Sequence, residues 1–284
     1  MTDELSSLTQ ADFGRARRKA FFRQILSILS GGHASTLLSY DEVKEKLRIG
    51  GPVYRGIKTI RVNQIAGSLN RYHEFDRAFL PREDQLASRW QSVDRAFYHE
   101  INQPPVVLYK VGDVYFVVDG HHRVSVAREK GQEFIEAEVL ECSTRVNLTA
   151  DIKPEDLEIL ENKVQFLERT RLDELRPGAN LETTIPDGFD RMLIHIAVHR
   201  YFIGLDLKRD ISEGEAVVHW LDTVYSPIVQ VIRQSGILGD FPGRTEGDLY
   251  LWTLDHQQYL AQAEGQPLLP PEEAARQYIE ENED

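Results

Sequence analysis

Apolar and polar residues alternate along the middle of this chain with a period of two, and beyond Cys142 the spacing becomes helical. Val106-Val107-Leu108-Tyr109 and the run 114–118 are β-rich, and Val111-Gly112-Asp113 joins them with the spacing of a hairpin. Val124 and Ala127 then stand three apart, and Lys130-Gly131 supplies the cation and glycine that close a helix. Ile135, Ala137 and Val139 alternate with Glu136, Glu138 and Glu141, which predicts a strand with one wet face. Upstream, Gly50-Gly51-Pro52 leads into a first strand at 59–62. Strand, strand, loop, helix, strand is a compact unit of mixed α and β structure. The fold class expected is α+β, with a small mixed sheet.

The two ends of the chain are predicted helical. Thr9-Gln10-Ala11-Asp12 and Ser39-Tyr40-Asp41-Glu42 both resemble capping boxes, the first with Asp in place of Glu. Between them Phe21, Phe22, Ile25, Leu26, Ile28 and Leu29 suggest an amphipathic helix stopped by Gly31-Gly32, with a loop over 33–36. In the second half, Leu157, Leu160, Val164 and Leu167 mark one helix. A turn-rich connector covers 176–188, and a long helix runs over about 189–203. Ser212-Glu213-Gly214-Glu215 opens another helix, which Pro227 breaks or restarts. A Thr245–Asp248 cap and Pro270-Pro271 introduce the last two helices. The organisation expected is a helical segment at 1–55, the mixed-sheet domain at 56–150 and an acidic helical region at 151–284.

Charge divides the chain at the same place. Residues 1–150 carry 21 Lys and Arg against 19 Asp and Glu, and residues 151–284 carry 12 against 27. The second half therefore disfavours DNA through its own field. A basic stretch at Arg15, Arg17, Arg18, Lys19 and Arg23 keeps nucleic acid open, though charges on a docking helix account for it equally well. The single cysteine, Cys142, excludes an internal disulfide and reads as a small buried apolar group in a reducing, cytoplasmic compartment. No apolar run is long enough to span a membrane.

The segment that carries chemistry is Asp119-Gly120-His121-His122-Arg123, between the strand at 114–118 and the following helix. A helix start offers unpaired N–H groups and the positive end of the dipole. Gly120 permits close approach to the backbone, and Arg123 brings a bidentate fork for phosphate. The two histidines are adjacent, so one of them at most is expected on the pocket wall. Elsewhere, His195 and His199 have the i,i+4 spacing of a zinc helix. Ile196 stands where a metalloprotease needs Glu, which excludes proteolysis. Packing histidines are the default for these two and for His219 and His256, though a non-proteolytic metal site with Asp222 or Asp255 is conceivable. Arg244, before a capped helix start, reads as a salt-bridge residue or an anion contact.

Over roughly residues 57–141 this order and these loops resemble the ParB/sulfiredoxin superfamily. The equivalent loop in ParB proteins is Gly-Glu-Arg-Arg and helps hold CTP; in sulfiredoxins it is Gly-Cys-His-Arg and holds ATP phosphates. The loop here looks most like that of free-serine kinases of the same fold. His121 stands at the reactive-cysteine position of sulfiredoxin, which excludes sulfinic-acid reduction. The resemblance implies His122 and Arg123 as phosphate contacts, with Asp119 positioning a histidine or reaching Mg²⁺ through water. It also implies a second wall at 65–76, where Ser68 and Arg71 would touch phosphate or ribose. Glu74 becomes a candidate base there, or Asp76 after a shift of one or two residues. A plain alternative makes His73, Glu74 and Asp76 a solvated face beside Phe75 and Phe79.

The expected function is nucleotide binding, of ATP, ADP or CTP with Mg²⁺. Phosphoryl transfer to a small-molecule acceptor, or hydrolysis, is the reaction class if the chain is an enzyme, with Glu74 and His121 as the catalytic pair. The competing reading is a non-catalytic regulator in which nucleotide acts as a switch. The oligomeric state is left open.

Overall fold

The computed structural model describes residues 2–29, 37–154, 156–263 and 267–282. The chain is an α+β protein that divides into two compact units, Met1–Leu157 and Glu158–Asp284. The Gly31-Gly32 stop and the 33–36 loop lie outside the described residues.

The first unit runs α1 (Thr2–Leu29), β1 (Leu38–Ser39), α2 (Tyr40–Lys46), β2 (Pro52–Arg61), β3 (Ile65–Ser68), α3 (Ala87–Tyr98), β4 (Val106–Val111), β5 (Val114–Asp119), α4 (His121–Glu129) and β6 (Phe134–Cys142). Its six strands form one mixed sheet in the order β1-β3-β5-β4-β6-β2. β4 and β5 are the expected hairpin, turning at Gly112 with φ +58°. β3 and β5 are parallel with Ser68 opposite Val117, so both strands end on the same side of the sheet. Residues 69–74 follow β3 at that end, and β5 passes there through Asp119 and Gly120 into His121–Arg123 of α4, which brings the two expected walls together.

Beneath them, Trp90 of α3 is fully buried between Phe13 of α1, at a centroid distance of 5.7 Å, and Ser125 of α4, whose Oγ accepts from its indole N–H at 2.9 Å. A buried indole needs such a partner for its single donor. Charge also joins these helices: Lys130 Nζ lies 2.6 Å from Asp12 Oδ2 and 2.9 Å from Asp94 Oδ1.

Several expectations change. The strand expected at 59–62 is the end of the ten-residue β2, an edge strand whose mostly exposed residues hide its length from a burial pattern. Its register shifts between Tyr54 and Ile57, around Gly56 at φ +81°. Thr9 does not cap a helix: it is buried within α1 and its hydroxyl donates to Ser6 O at 3.1 Å, while Asp12 faces Lys130. Phe21, Phe22 and Leu26 are exposed, because the docked face of α1 uses Phe13, Ala16 and Ala20 instead. The Ser39 box forms as expected, with Glu42 N donating to Ser39 Oγ at 3.4 Å.

The second unit is helical: α5 (Asp156–Thr170, whose first two residues belong to the first unit), α6 (Leu172–Leu175), α7 (Gly188–Leu207), α8 (Glu213–Trp220), α9 (Ser226–Ser235), α10 (Glu246–Ala263) and α11 (Pro271–Glu280). Pro227 does not break the chain between α8 and α9. Residues 221–225 take π-helical form, and this wider turn accommodates a proline that lacks an N–H. Buried Asp248 accepts from Thr183 Oγ1 at 2.6 Å and Thr184 N at 2.7 Å. Burial opposes its charge, but these bonds hold the carboxyl below its usual range.

Among the described residues no helix is long and apolar enough to cross a membrane.

Candidate functional site

The site begins with a glycine. Gly120 is the N-cap of α4 at φ +97°, a left-handed conformation that costs a side-chain-bearing residue. A Cβ there would stand 2.6 Å from Val106 Cγ1 and 2.9 Å from Arg123 Nη2. With no side chain to offer, Gly120 leaves the first turn of α4 without a side-chain cap. Its leading N–H groups are then available to an anion.

Above that turn lies a cleft of about 330 Å³. Asp119, Gly120, His121, His122 and Arg123 line it from the expected loop. Arg71 lines it from the loop after β3, Arg89 and Val93 from α3, and Gln103 with Pro104 from the segment before β4. Three guanidiniums face one carboxylate. Arg123 is fixed in the wall: it donates to Pro104 O, to Pro105 O at 3.0 Å and to Asp119 Oδ2 at 2.7 Å. Arg71 donates to both oxygens of Glu74, at 2.9 and 2.5 Å, in a half-buried pair.

Both histidines line the cleft, against the expectation of one. His121 stacks on Phe75 at 6.2 Å and 20° between planes, and His122 meets the same ring edge-on at 5.5 Å. As the first two residues of the helix they flank one ring from two directions, so neither is turned away. Burial pushes each imidazole down to about 4, and the charge of Arg71 adds to the effect in both. Arg89 contributes at His122. At neutral pH both rings are uncharged. His121 Nε2 lies 2.7 Å from Ser68 Oγ. His122 Nδ1 is buried and has no hydrogen-bond partner among the described residues.

Ser68 is fully buried and its hydroxyl also lies 3.2 Å from Leu69 O, so it touches the cleft only through His121. Asp76 is no solvated residue: it is buried and accepts from Ala78 N and Leu80 N, both at 2.8 Å, which makes it a turn former. Burial holds its carboxyl above the usual range. Arg89, Val93, Gln103 and Pro104 are wall residues that the sequence reading did not find. Arg89 carries no local signal, since it is one exposed cation in an ordinary helical turn.

The remaining candidates resolve into packing. His195 Nδ1 pairs with Tyr250 OH at 3.0 Å and His199 Nε2 with His219 Nδ1 at 2.8 Å, while Asp222 and Asp255 are held by Arg176 and Arg191. Among the described residues no group of three or more His, Cys, Asp or Glu side chains is placed to hold a metal. Arg244 bonds Thr184 Oγ1 at 2.9 Å and lies over Trp252. Cys142 is buried, 3.4 Å from Tyr40 OH.

No protein-family model and no curated protein matches the chain. A solved structure of a Pnob8-like ParB-N domain aligns with 82% of this chain and 98% of its own length, at 11% identity and a TM-score of 0.21. Likeness at that score carries no argument about this chain.

Proposed function

We propose that the first unit binds the phosphate groups of a nucleotide over the start of α4. The supporting observation is the convergence of Arg71, Arg89 and Arg123 on an uncapped helix N-terminus, with Arg123 paired to Asp119 and Arg71 to Glu74. The buried, unpartnered Nδ1 of His122 adds a polar atom suited to a ligand contact. Uncharged histidines suit such a site, because each offers one N–H donor and one acceptor nitrogen and stays neutral around pH 7. Asp119 is already committed to Arg123, so Mg²⁺ would arrive on the nucleotide and keep phosphate and water as its ligands.

If phosphoryl transfer to a small acceptor occurs here, the arginines and helix start supply charge neutralisation. Glu74 is then the candidate base, with His121 beside it. A specific observation favours a binding or switch role instead: both oxygens of Glu74 are held by Arg71. DNA is a weaker partner on similar grounds, since Arg15, Arg17, Lys19 and Arg23 each pair with a carboxylate of the same unit.

The test is a thermal-shift panel of ATP, ADP, CTP and GTP with Mg²⁺. A ligand that binds only the folded state raises the melting temperature by mass action. Arg89→Ala is the informative variant, because Arg89 is exposed and its loss leaves the core alone. A shift with at least one nucleotide, reduced in Arg89→Ala and in Arg71→Ala, is expected. No shift with any of the four overturns the reading.

A further inference from the structure

Helix α7 is apolar on two sides. Its inner face, with Phe189, Met192, Ile196 and Ile203, is buried in the second unit, where His195 reaches Tyr250 of α10 and His199 reaches His219 of α8. Its outer face is open: Ile194, Val198, Tyr201, Phe202 and Leu205 are each between 50% and 64% exposed. A surface helix ordinarily turns polar residues outward, and a helix apolar all round is one that something covers. Side chains of this size, half exposed, leave on the order of 100 Å² apiece. The face therefore presents roughly 500 Å², at the upper end of what monomers show and in the range where patches mark interaction sites. It is more than half of the about 800 Å² that a stable interface takes from each partner. The same stretch is free of acid: residues 191–205 hold no Asp or Glu, in a half of the chain that carries 27.

The order of residues along this face points to its occupant. Asp190, Ile194, Ala197, Tyr201, Gly204 and Lys208 follow at intervals of four, three, four, three and four, the spacing of a helix–helix seam. The intervals are the same in either direction, with their centre at His199. We propose that the chain forms a two-fold homodimer through α7, the two helices antiparallel and crossing at His199. Such a pairing sets Ile194 against Gly204 of the second copy and Tyr201 against Ala197, a large side chain over a small one each time. At both ends it sets exposed Asp190 against exposed Lys208, so every charge on the seam meets its opposite. A parallel pair would put each residue on its own kind, Asp190 on Asp190 and Tyr201 on Tyr201. The space that receives the large side chains is already open, as a groove of about 660 Å³ lined by Ala197 and Gly204 together with Arg200, Tyr201, Leu205 and Ile211. A partner of another sequence does not require a seam that repeats itself about a centre; a second copy does, because each surface must complement itself.

The experiment is sedimentation equilibrium of the full chain at low salt and up to roughly 100 µM, which reaches weak dimers as well as tight ones. The variants are Tyr201→Glu, Asp190→Lys, Lys208→Asp and the double Asp190→Lys/Lys208→Asp. All three positions are exposed, and melting curves verify that the variants fold. Wild type is expected to dimerise, and Tyr201→Glu to weaken the dimer about a hundredfold by placing a charge in the seam. Each single charge variant should weaken it about tenfold, since two attractive pairs become repulsive. The double variant, and an equal mixture of the two single variants, should recover the wild-type affinity, because the antiparallel seam puts position 190 of one copy against position 208 of the other. If Tyr201→Glu does not fold, the charge exchange decides alone. A wild-type chain that stays monomeric overturns the proposal and leaves the face to a partner of different sequence. A dimer indifferent to Tyr201→Glu also overturns it, by placing the interface elsewhere. A dimer that Tyr201→Glu breaks, but that the charge exchange neither weakens nor restores, overturns the antiparallel pairing.

Discussion

Ser68 Oγ and His121 Nε2 lie 2.7 Å apart, joining the last residue of β3 to the first residue of α4. Both groups are buried, so the bond fixes the helix start against the sheet rather than offering either group to solvent. Ser68→Ala leaves an imidazole nitrogen without its partner, a loss worth about 1–3 kcal/mol. Urea denaturation of wild type and Ser68→Ala measures it. Equal midpoints would show that the contact contributes nothing to holding the helix start.

The two cleft histidines set a pH dependence. Their folded pKa of about 4 lies below the ordinary 6.5, so between those values the unfolded chain binds protons that the folded one rejects. Stability from these rings is complete above pH 6.5 and is lost as pH falls toward 4, at most roughly 3 kcal/mol for each ring. Arg71 and Arg89 strengthen the effect at His122, and Glu74 opposes it. His195 in the second unit titrates in the same direction, so the comparison must be differential. Denaturation from pH 7 to 4.5 should show a shallower slope for His121→Asn/His122→Gln than for wild type. Parallel slopes would mean that these rings titrate alike in both states.

Gly120→Ala forces a Cβ onto Val106 and Arg123 at a backbone angle of +97°. The strain alone costs about 1 kcal/mol or more, and relief requires the helix start to move. Nucleotide binding should fall further than stability does, because the displaced amides are those proposed to meet phosphate. Thermal melts with and without ADP read both quantities. An unchanged ligand-induced shift would remove the backbone of this turn from the binding site.

Lys130 serves two buried carboxylates at once, Asp12 and Asp94, and also lies 2.8 Å from Tyr98 OH. Lys130→Met strands both acids, and breaking a buried pair of this kind costs about 3–5 kcal/mol. Burial already holds the Asp94 carboxyl above its usual range, and loss of the lysine pushes it higher. A raised carboxyl pKa means that the folded variant takes up a proton first, so its deficit against wild type narrows as pH falls from 7 to 5. A constant deficit across that range would exclude Asp94 as the stranded group.

How far these features were legible depended on whether each was local. The β4–β5 hairpin, the glycine-led helix start and the Ser39 and Ser212 boxes are decided within a few residues, and all formed where the pattern put them. The helix at 87–98 was missed. Trp90 and Asp94 share its inner face, and a charged residue at a core position disguised the period until Lys130, far along the chain, supplied its partner. Arg89 and Gln103 entered the cleft for the same reason, through the docking of a helix and a loop rather than through any motif. The Thr9 box misled because a threonine inside a helix can satisfy its hydroxyl on the preceding turn.

Arg71 and Glu74 supply the last test, since a phosphate and Glu74 would compete for one guanidinium. Their pair is half-buried and three residues apart, so its contribution to stability is small, about 1 kcal/mol or less. Glu74→Gln removes the competing charge and leaves Arg71 to the ligand. Pyrophosphate affinity should then rise severalfold, whereas Arg71→Ala should lower it. Phosphoryl-transfer activity, where the chain has any, should move the opposite way in Glu74→Gln, because the same carboxylate is the candidate base. Tighter binding with lost turnover would assign Glu74 both to gating Arg71 and to the chemistry. Tighter binding with turnover intact would remove it from the chemistry. Unchanged affinity in both variants would take Arg71 out of the phosphate site altogether.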